Sequence, residues 1–564
     1  MRTRPTSRLT AVACTVVLAA FGGGNHGLPQ LPEATGAILS SCTDLVSTFS
    51  FANTTIRSAV HVEAGTLKVA GTQVGAHCLV KGEMYRRTSA VDGQSYAIGF
   101  EMRLPVAWNG RFFYQANGGI DGFVATATGA VNGGPGLTNA LQKGFAVISS
   151  DAGHMQDQNP AFGIDPQARL DYGYQAAAKL TPMAKRLIAA AYGKPPDRSY
   201  FGGCSNGGRH AMVAMTRLPR EYDGFLAGAP GFRLPLAAIA SIFRAQRYAT
   251  VATNPADLET AFTAAEHATV SAVALAKCDG LDGASDGLIQ DTTACQKAFD
   301  FNRDVPTCSA DRDGTCLTAA QKRVIGPIFS GAVDGSGKKF YASFPFDSGH
   351  GSVGVRAWEF VAPLALDAPA VGLIWGVPPA NPATFNGPNF ALTSSIDRLL
   401  VSVAATDSTY AESAISFMLP VQPAKLDRLK SRGAKVIVYH GVSDAIFSVD
   451  DTTAWYEELQ ADNGGDASDF ARFFRVPGMD HCSGGPSTDQ FDMLTALVKW
   501  VEKGQAPDRI TAAARGAGNP AGVNRELPPG WSGGRTRPLC PYPKVARLKP
   551  GATNLEVADS FVCR

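Results

Sequence analysis

Residues 203–207 read Gly203-Cys204-Ser205-Asn206-Gly207 and fit the pattern G-x-S-x-G. The match alone is weak, because glycine and serine are common. Its flanks give it meaning. Residues 199–202 read as a short strand, Gly202 and Gly203 permit a tight turn, and a helix leaves after Gly207-Gly208. Such a strand–turn–helix pushes a serine hydroxyl out above the end of a parallel sheet. The glycines remove side chains that would clash inside the turn.

The rest of the chain repeats this alternation. Strand-like segments occupy 96–103, 111–115, 146–150, 225–229, 435–439 and 471–476. Helix-like spacing marks 174–192, 209–218, 452–460 and 491–503. Short apolar strands alternating with helices predict an α/β fold, a mostly parallel sheet covered by helices on both faces. Residues 231–425 break the rhythm with four cysteines, an Asp/Gly-rich loop and Pro/Gly-rich turns. They read as a large insertion between two parts of one domain, 25–230 and 426–564. Beyond about 505 the tail is rich in proline and glycine and reads as irregular.

A nucleophilic serine needs a base and an acid, expected in the order serine, acid, histidine. Asp444 lies just past the strand at 435–439, and His481 just past the strand at 471–476. Both fall on loops beyond carboxyl ends of strands, where sites in open α/β sheets form. His481 is expected to take the Ser205 proton while Asp444 orients the ring. His440 is the alternative base, and Asp480 or Asp450 the alternative acid. Donors for an oxyanion are expected from the Asn206 amide and from the Gly-rich segment 117–122. The Gly119 amide is favoured there, with Gly118 as the alternative.

The chain starts with Arg2, Arg4 and Arg8, then a short apolar run over 9–21, then small residues. That order predicts a signal peptide over 1–24, and a secreted or periplasmic protein with no membrane association after cleavage. Removing it removes Cys14 and leaves ten cysteines: Cys42, Cys78, Cys204, Cys278, Cys295, Cys308, Cys316, Cys482, Cys540 and Cys563. An even number in an exported chain predicts disulfides. Sequence does not fix their connectivity. Local spacing favours 42–78, 278–295, 308–316 and 540–563, and Cys204 and Cys482 are then left over. Each of those two adjoins a candidate catalytic residue. A net charge of only +2 and no long basic run give nucleic-acid binding no electrostatic support.

Residues 278–288 place three aspartates within eight positions, separated by glycines. Such a loop suits a hard cation. The expected ligands are the Asp279, Asp282 and Asp286 side chains with the Ala284 and Leu288 carbonyls. No glutamate closes the loop as in an EF-hand. Its place inside the insertion predicts a structural Ca2+ ion.

Taken together, the segments 201–208, 439–444, 476–486, 279–288 and 537–543 resemble the tannase/feruloyl esterase family, over nearly the whole mature chain. The resemblance implies an α/β-hydrolase with a lid domain inserted between the serine and aspartate segments. It implies a Cys204–Cys482 bridge beside the triad and calcium in the lid loop. Members cleave esters of aromatic acids: galloyl esters, feruloyl esters and, in one branch, mono(2-hydroxyethyl) terephthalate. The C-terminal half resembles that last branch, where the positions of Trp358 and Phe447 sandwich the aromatic ring. That branch holds the second carboxylate with a lid arginine, yet no Arg or Lys lies between Trp358 and Arg398 here. A buried carboxylate without a cation is costly, so a neutral phenolic acyl group is the expectation. A terephthalate monoester hydrolase is the second reading, and a non-catalytic, calcium-stabilised binding protein the remote one.

Overall fold

A computed structural model of the protein describes residue 1 and residues 28–131, 136–137, 139–309 and 311–564. The signal-peptide segment and Cys14 lie outside the described residues. Nine strands make the central sheet: β1 (Thr54–Val62), β2 (His77–Thr88), β3 (Ser95–Pro105), β4 (Arg111–Gln115), β5 (Ala146–Ser150), β6 (Arg198–Cys204), β7 (Gly224–Gly228), β8 (Lys435–Gly441) and β9 (Ala471–Val476). Their order across the sheet is β9-β8-β7-β6-β4-β5-β3-β2-β1. The six from β9 to β5 run parallel, and β3, β2 and β1 continue antiparallel. The parallel half follows the expected alternation. The antiparallel pair β1 and β2 precedes the region where that alternation was legible.

Side chains on a strand alternate between faces, and here both faces are buried. Val436 and Val438 of β8 enter one core, with Phe201, Phe225 and Phe473. Ile437 and Tyr439 enter the other, with Tyr200, Leu226 and Phe474. Helix α1 (Ala176–Tyr192) supplies Leu180, Leu187 and Ile188 to the first core. Helix α5 (Met493–Lys503) supplies Leu494, Leu497 and Trp500 to the second. Both helices stop at a glycine in the left-handed region, Gly193 and Gly504. A sheet buried on both faces needs continuous apolar strands, and AVISS and KVIVYHG are fully buried.

Strands β7 and β8 are hydrogen-bonded neighbours, yet about two hundred residues separate them in sequence. That span contains residues 231–425, and none of its described residues joins the central sheet. It is largely helical, including α3 (Leu234–Ala249) and α4 (Ala264–Cys278), and packs around two apolar clusters, one of its own and one shared with Phe162, Tyr172 and Phe447. The tail is more ordered than its composition predicts. It forms two short antiparallel ladders, Ile510–Ala513 with Thr536–Leu539 and Ala546–Leu548 with Phe561–Cys563. Apolar Ile510, Leu539 and Phe561 are buried there, a pattern too short to stand out among the prolines and glycines.

Among the described residues five disulfides are formed: 42–78, 204–482, 278–295, 308–316 and 540–563. Four close short local loops. The fifth joins the end of β6 to the loop after β9 across 278 residues.

Candidate active site

Ser205 follows β6 directly and precedes α2 (Asn206–Arg217). Its backbone takes φ 65° and ψ −127°, a conformation that non-glycine residues rarely adopt. The neighbours leave no choice about composition. A Cβ on Gly203 would lie 2.5 Å from the Ala116 carbonyl oxygen and 2.9 Å from the Gly207 Cα. One on Gly207 would meet the same carbonyl at 2.5 Å. The glycines of the motif are therefore contact requirements, and they let strand, turn and helix close around the serine.

His481 Nε2 accepts from Ser205 Oγ at 2.8 Å, across 276 positions of sequence. Its Nδ1 donates to Asp444 Oδ2 at 2.7 Å. The bridge between Cys204 and Cys482, with Cα atoms 6.2 Å apart, ties the residue before the serine to the residue after the histidine. Asp444 is buried and receives four donors. His481 and His440 reach Oδ2, and the amides of Ile446 and Phe447 reach Oδ1 at 2.9 and 3.0 Å. Burial alone would raise this carboxyl, but the facing His481 imidazole and the bonds from both histidines hold it well below its ordinary value.

His440, the alternative base, stands behind the acid. Its Nε2 lies 3.2 Å from Asp444 Oδ2 and 3.0 Å from the Phe447 carbonyl, and Thr452 Oγ1 meets its Nδ1 at 2.9 Å. It is a second imidazole on the acid, four residues before it in sequence. The alternative acids point elsewhere. Asp480 accepts from the His481 amide and faces Ser352, and Asp450 accepts from Ser343 Oγ. Burial and the nearby Asp444 push Asp480 up to about 7 against the bond from the His481 amide.

The Gly-rich segment 117–122 packs against the serine. A Cβ on Gly118 would lie 3.8 Å from Ser205 Cβ, whereas one on Gly119 would meet nothing within 4 Å. Asp121, which the sequence reading passed over, joins this segment to the residue after the nucleophile. Its Oδ2 accepts from Asn206 Nδ2 at 2.9 Å and from His210 Nε2 at 2.8 Å. Arg209 donates to Asn206 Oδ1 at 2.6 Å. Burial raises the Asp121 carboxyl well above its ordinary value, opposed by Arg209 and Asn206, and burial with Arg209 depresses His210. A polar residue inside a glycine run was the only sequence signal for this network.

Two aromatic rings frame the imidazole edge-on. The Trp358 ring centroid is 4.9 Å from that of His481, and Phe447 is 5.3 Å away, at interplanar angles of 78° and 79°. Phe447 is buried and Trp358 half-buried. Trp358 comes from the insertion, so the insertion contributes a wall of the site.

The acidic loop at 279–288, also within the insertion, docks on the tail. Trp531 Nε1 and Arg535 donate to the Asp286 carbonyl at 3.0 and 2.6 Å, and Arg537 pairs with the Asp286 carboxylate. Asp279 accepts from the amides of Asp286 and Gly287. Asp282 Oδ1 accepts from the Ala284 amide at 2.8 Å, while its buried Oδ2 has no partner. Burial, then the charges of Asp286 and Asp279, push Asp282 up to about 7 against the Ala284 bond. Among the described residues, no three His, Cys, Asp or Glu side chains are gathered so as to hold a metal unaided. The expected set relies on two carbonyls as well, those of Ala284 and Leu288. An orphaned, buried carboxylate oxygen beside two further aspartates suits a hard cation.

A serine in a strained turn at a strand end, hydrogen-bonded to a histidine that is oriented by a buried aspartate, defines an α/β-hydrolase built for acyl transfer. The family described as "Tannase and feruloyl esterase" matches residues 78–564, and the chain belongs to that family. It is a carboxylic ester hydrolase. The chain is 36% identical over 556 residues to the mono(2-hydroxyethyl) terephthalate hydrolase of Piscinibacter sakaiensis, covering 91% of this chain and 89% of that protein. It is 29% identical over 443 residues to a probable feruloyl esterase B-1 of Neosartorya fischeri, covering 74% and 76%. The crystal structure of feruloyl esterase B from Aspergillus oryzae superimposes with a TM-score of 0.73 at 25% identity, covering 93% of this chain and 99% of that one.

Proposed function

We propose that the protein hydrolyses esters of neutral, phenolic aromatic acids through an acyl-enzyme on Ser205. The observation that carries this reading is the Ser205–His481–Asp444 relay with Trp358 and Phe447 standing perpendicular to its imidazole. Ser205 Oγ attacks the ester carbonyl carbon as its proton passes to His481 Nε2. Asp444 stabilises the imidazolium. The Asn206 and Gly119 amides hold the oxyanion, with Gly118 as the alternative donor. The proton then passes to the leaving alkoxide oxygen, which departs as an alcohol. Water repeats the cycle on the acyl-serine, losing its proton to His481, and releases the acid and free Ser205.

Trp358 and Phe447 bind the aromatic ring of the acyl group, and the insertion acts as the lid over it. Three arginines of the insertion are already matched. Arg233 pairs with Asp451, Arg244 with Glu359 and Arg356 with Glu259. A second acyl carboxylate would find none of these three free to pair with it, which favours gallate- or ferulate-like acids. The second reading, a terephthalate monoester hydrolase, is favoured by the 36% identity to such an enzyme. The 279–288 loop holds a structural calcium ion through Asp279, Asp282, Asp286 and the Ala284 and Leu288 carbonyls. Bound there, the ion supplies charge neutralisation. Five disulfides fit an oxidising compartment, secreted or periplasmic.

A panel of methyl gallate, methyl ferulate and mono(2-hydroxyethyl) terephthalate tests the substrate reading. The phenolic esters should be turned over with the higher kcat/KM, and a preference for the terephthalate monoester would reverse the two readings. Ser205→Ala should abolish all three activities with the melting temperature kept. Turnover by that variant would remove the nucleophile assignment, and no turnover of any ester by the native protein would leave the binding-protein reading.

A further inference from the structure

The acid and the base sit on separate loops, each just beyond the end of its strand. The β8–β9 ladder ends at Gly441 opposite Val476. Two more backbone bonds follow, Val442 N to Val476 O and Ser443 N to Met479 O, both 3.0 Å. Beyond them the loops part, and the separation between Asp444 and His481 depends on what packs around them. One buried carboxylate from the insertion reaches both loops there.

We propose that Asp347 is a positioning residue that fixes the acid loop against the base loop. The proposal rests on the Ser205–His481–Asp444 reading. Asp347 is fully buried, at 0% exposure. Its Oδ2 accepts from Ser443 Oγ at 2.8 Å and from the Gly478 amide at 2.8 Å. Ser443 immediately precedes Asp444, and Gly478 lies three residues before His481. A single oxygen thus spans the two loops.

The same segment grips Ser443 from a second direction. The Gly349 amide donates to Ser443 Oγ at 3.1 Å, so that hydroxyl both gives and takes a bond to the insertion. A Cβ on Gly349 would fall 2.3 Å from Ser443 Oγ. Further along, Ser352 Oγ lies 3.3 Å from Asp480 Oδ2, beside the histidine. Glu526 of the tail bridges the Val353 amide of the insertion at 2.7 Å and the Gly485 amide of the base loop at 2.8 Å. The insertion therefore frames the catalytic loops from behind, besides bringing Trp358 to the site.

Only acceptance by oxygen is required of Asp347, not its charge. The Asp347→Asn substitution would keep a carbonyl oxygen for Ser443 and Gly478, and it would place the new amide where Oδ1 has no partner. Misplacing a catalytic group by an ångström costs roughly 100-fold in rate. Asp347→Ala should lower kcat on a good aryl ester by about 10- to 100-fold with KM within about two-fold, since the ring-binding wall is untouched. Asp347→Asn should restore kcat to within a few-fold of the native protein, even if its melting temperature falls.

Native kcat in Asp347→Ala, or an Asp347→Asn variant as slow as Asp347→Ala, would overturn the proposal. If the alanine variant does not fold, Ser443→Ala carries the test, because it removes one of the two donors. It should lower kcat several-fold with KM kept, and an unchanged kcat would again overturn the assignment. Ser205→Ala measured alongside separates the premises: turnover there would fault the triad reading, whatever Asp347 does.

Discussion

Asp444 and Asp282 are both shut away from solvent in loops, at 2% and 3% exposure, yet the protein treats their charges in opposite ways. Asp444 has both oxygens filled, by two imidazoles and two backbone amides, and its carboxyl is held low. Asp282 has one oxygen bonded and one orphaned, two aspartates nearby, and a carboxyl pushed up to about 7. A buried charge is tolerated where donors converge on it and resisted where they do not. The first loop is electrostatically complete in protein alone. The second is short of positive charge, although Arg537 already serves Asp286.

The largest expected effect breaks the complete side. Asp444→Asn leaves the shape of the loop but no longer enforces the His481 tautomer that accepts from Ser205. We expect kcat to fall about 10^4-fold with folding retained, by analogy with the loss of such an acid elsewhere. Steady-state hydrolysis of a phenolic ester, read beside the melting temperature, checks this. A loss below about ten-fold would mean that packing against Trp358 and Phe447 holds the imidazole without the acid.

Next in size is removal of the proposed calcium ion, which should touch only the deficient loop. A ligand at about 100 times its Kd stabilises a fold by about 2.7 kcal/mol, or a few degrees of melting temperature. The pH dependence gives the sign. With chelator present, folded Asp282 keeps its proton to about pH 7, while the unfolded group loses it near its ordinary value of 3.8. The folded state then binds more protons between those values, so stability should fall as pH rises from about 4 to about 7. Calcium should remove that fall. Asp444 acts in the reverse sense: its contribution is complete above the ordinary carboxylate value of 3.8 and is lost as pH drops below it toward the depressed value of the folded group. Scanning calorimetry with and without chelator, from about pH 7 to below the ordinary carboxylate value of 3.8, checks both signs, and identical curves with and without chelator would argue against the ion.

The same contrast separates what was legible in the sequence from what was not. Ser205, Asp444 and His481 are readable because each follows a strand whose apolar run announces it, and catalysis constrains their order. The parallel strands are readable for the same reason. Local disulfides follow from spacing, and Cys204 and Cys482 stand out only as the pair left over. Residues that act through another residue leave no such trace. His440 reads as a rival base because sequence gives its distance from Asp444 along the chain and not its face. Asp121 hides among glycines. Asp347 meets Ser443 and Gly478 across 96 and 131 positions. The tail's ladders escape notice because strands of three or four residues carry too little periodicity.

The smallest effect is also the sharpest test of the contrast, because its sign depends on the ion. Asp282→Asn removes a buried negative charge that has an unpaired oxygen and two acidic neighbours. Without a cation this relieves repulsion, so the variant should be more stable than the native protein in chelator at pH 7, by about 1 kcal/mol. With calcium present the same change removes a charged ligand, and the variant should be the less stable of the two. Turnover at saturating substrate should stay within about two-fold in both conditions, because the loop bonds to the tail and shares no hydrogen bond with Ser205, His481 or Asp444. Stabilisation in both conditions would leave Asp282 a strained structural residue with no ion to hold. Destabilisation in both would mean that its bond to the Ala284 amide outweighs the repulsion, and that the loop is not short of positive charge.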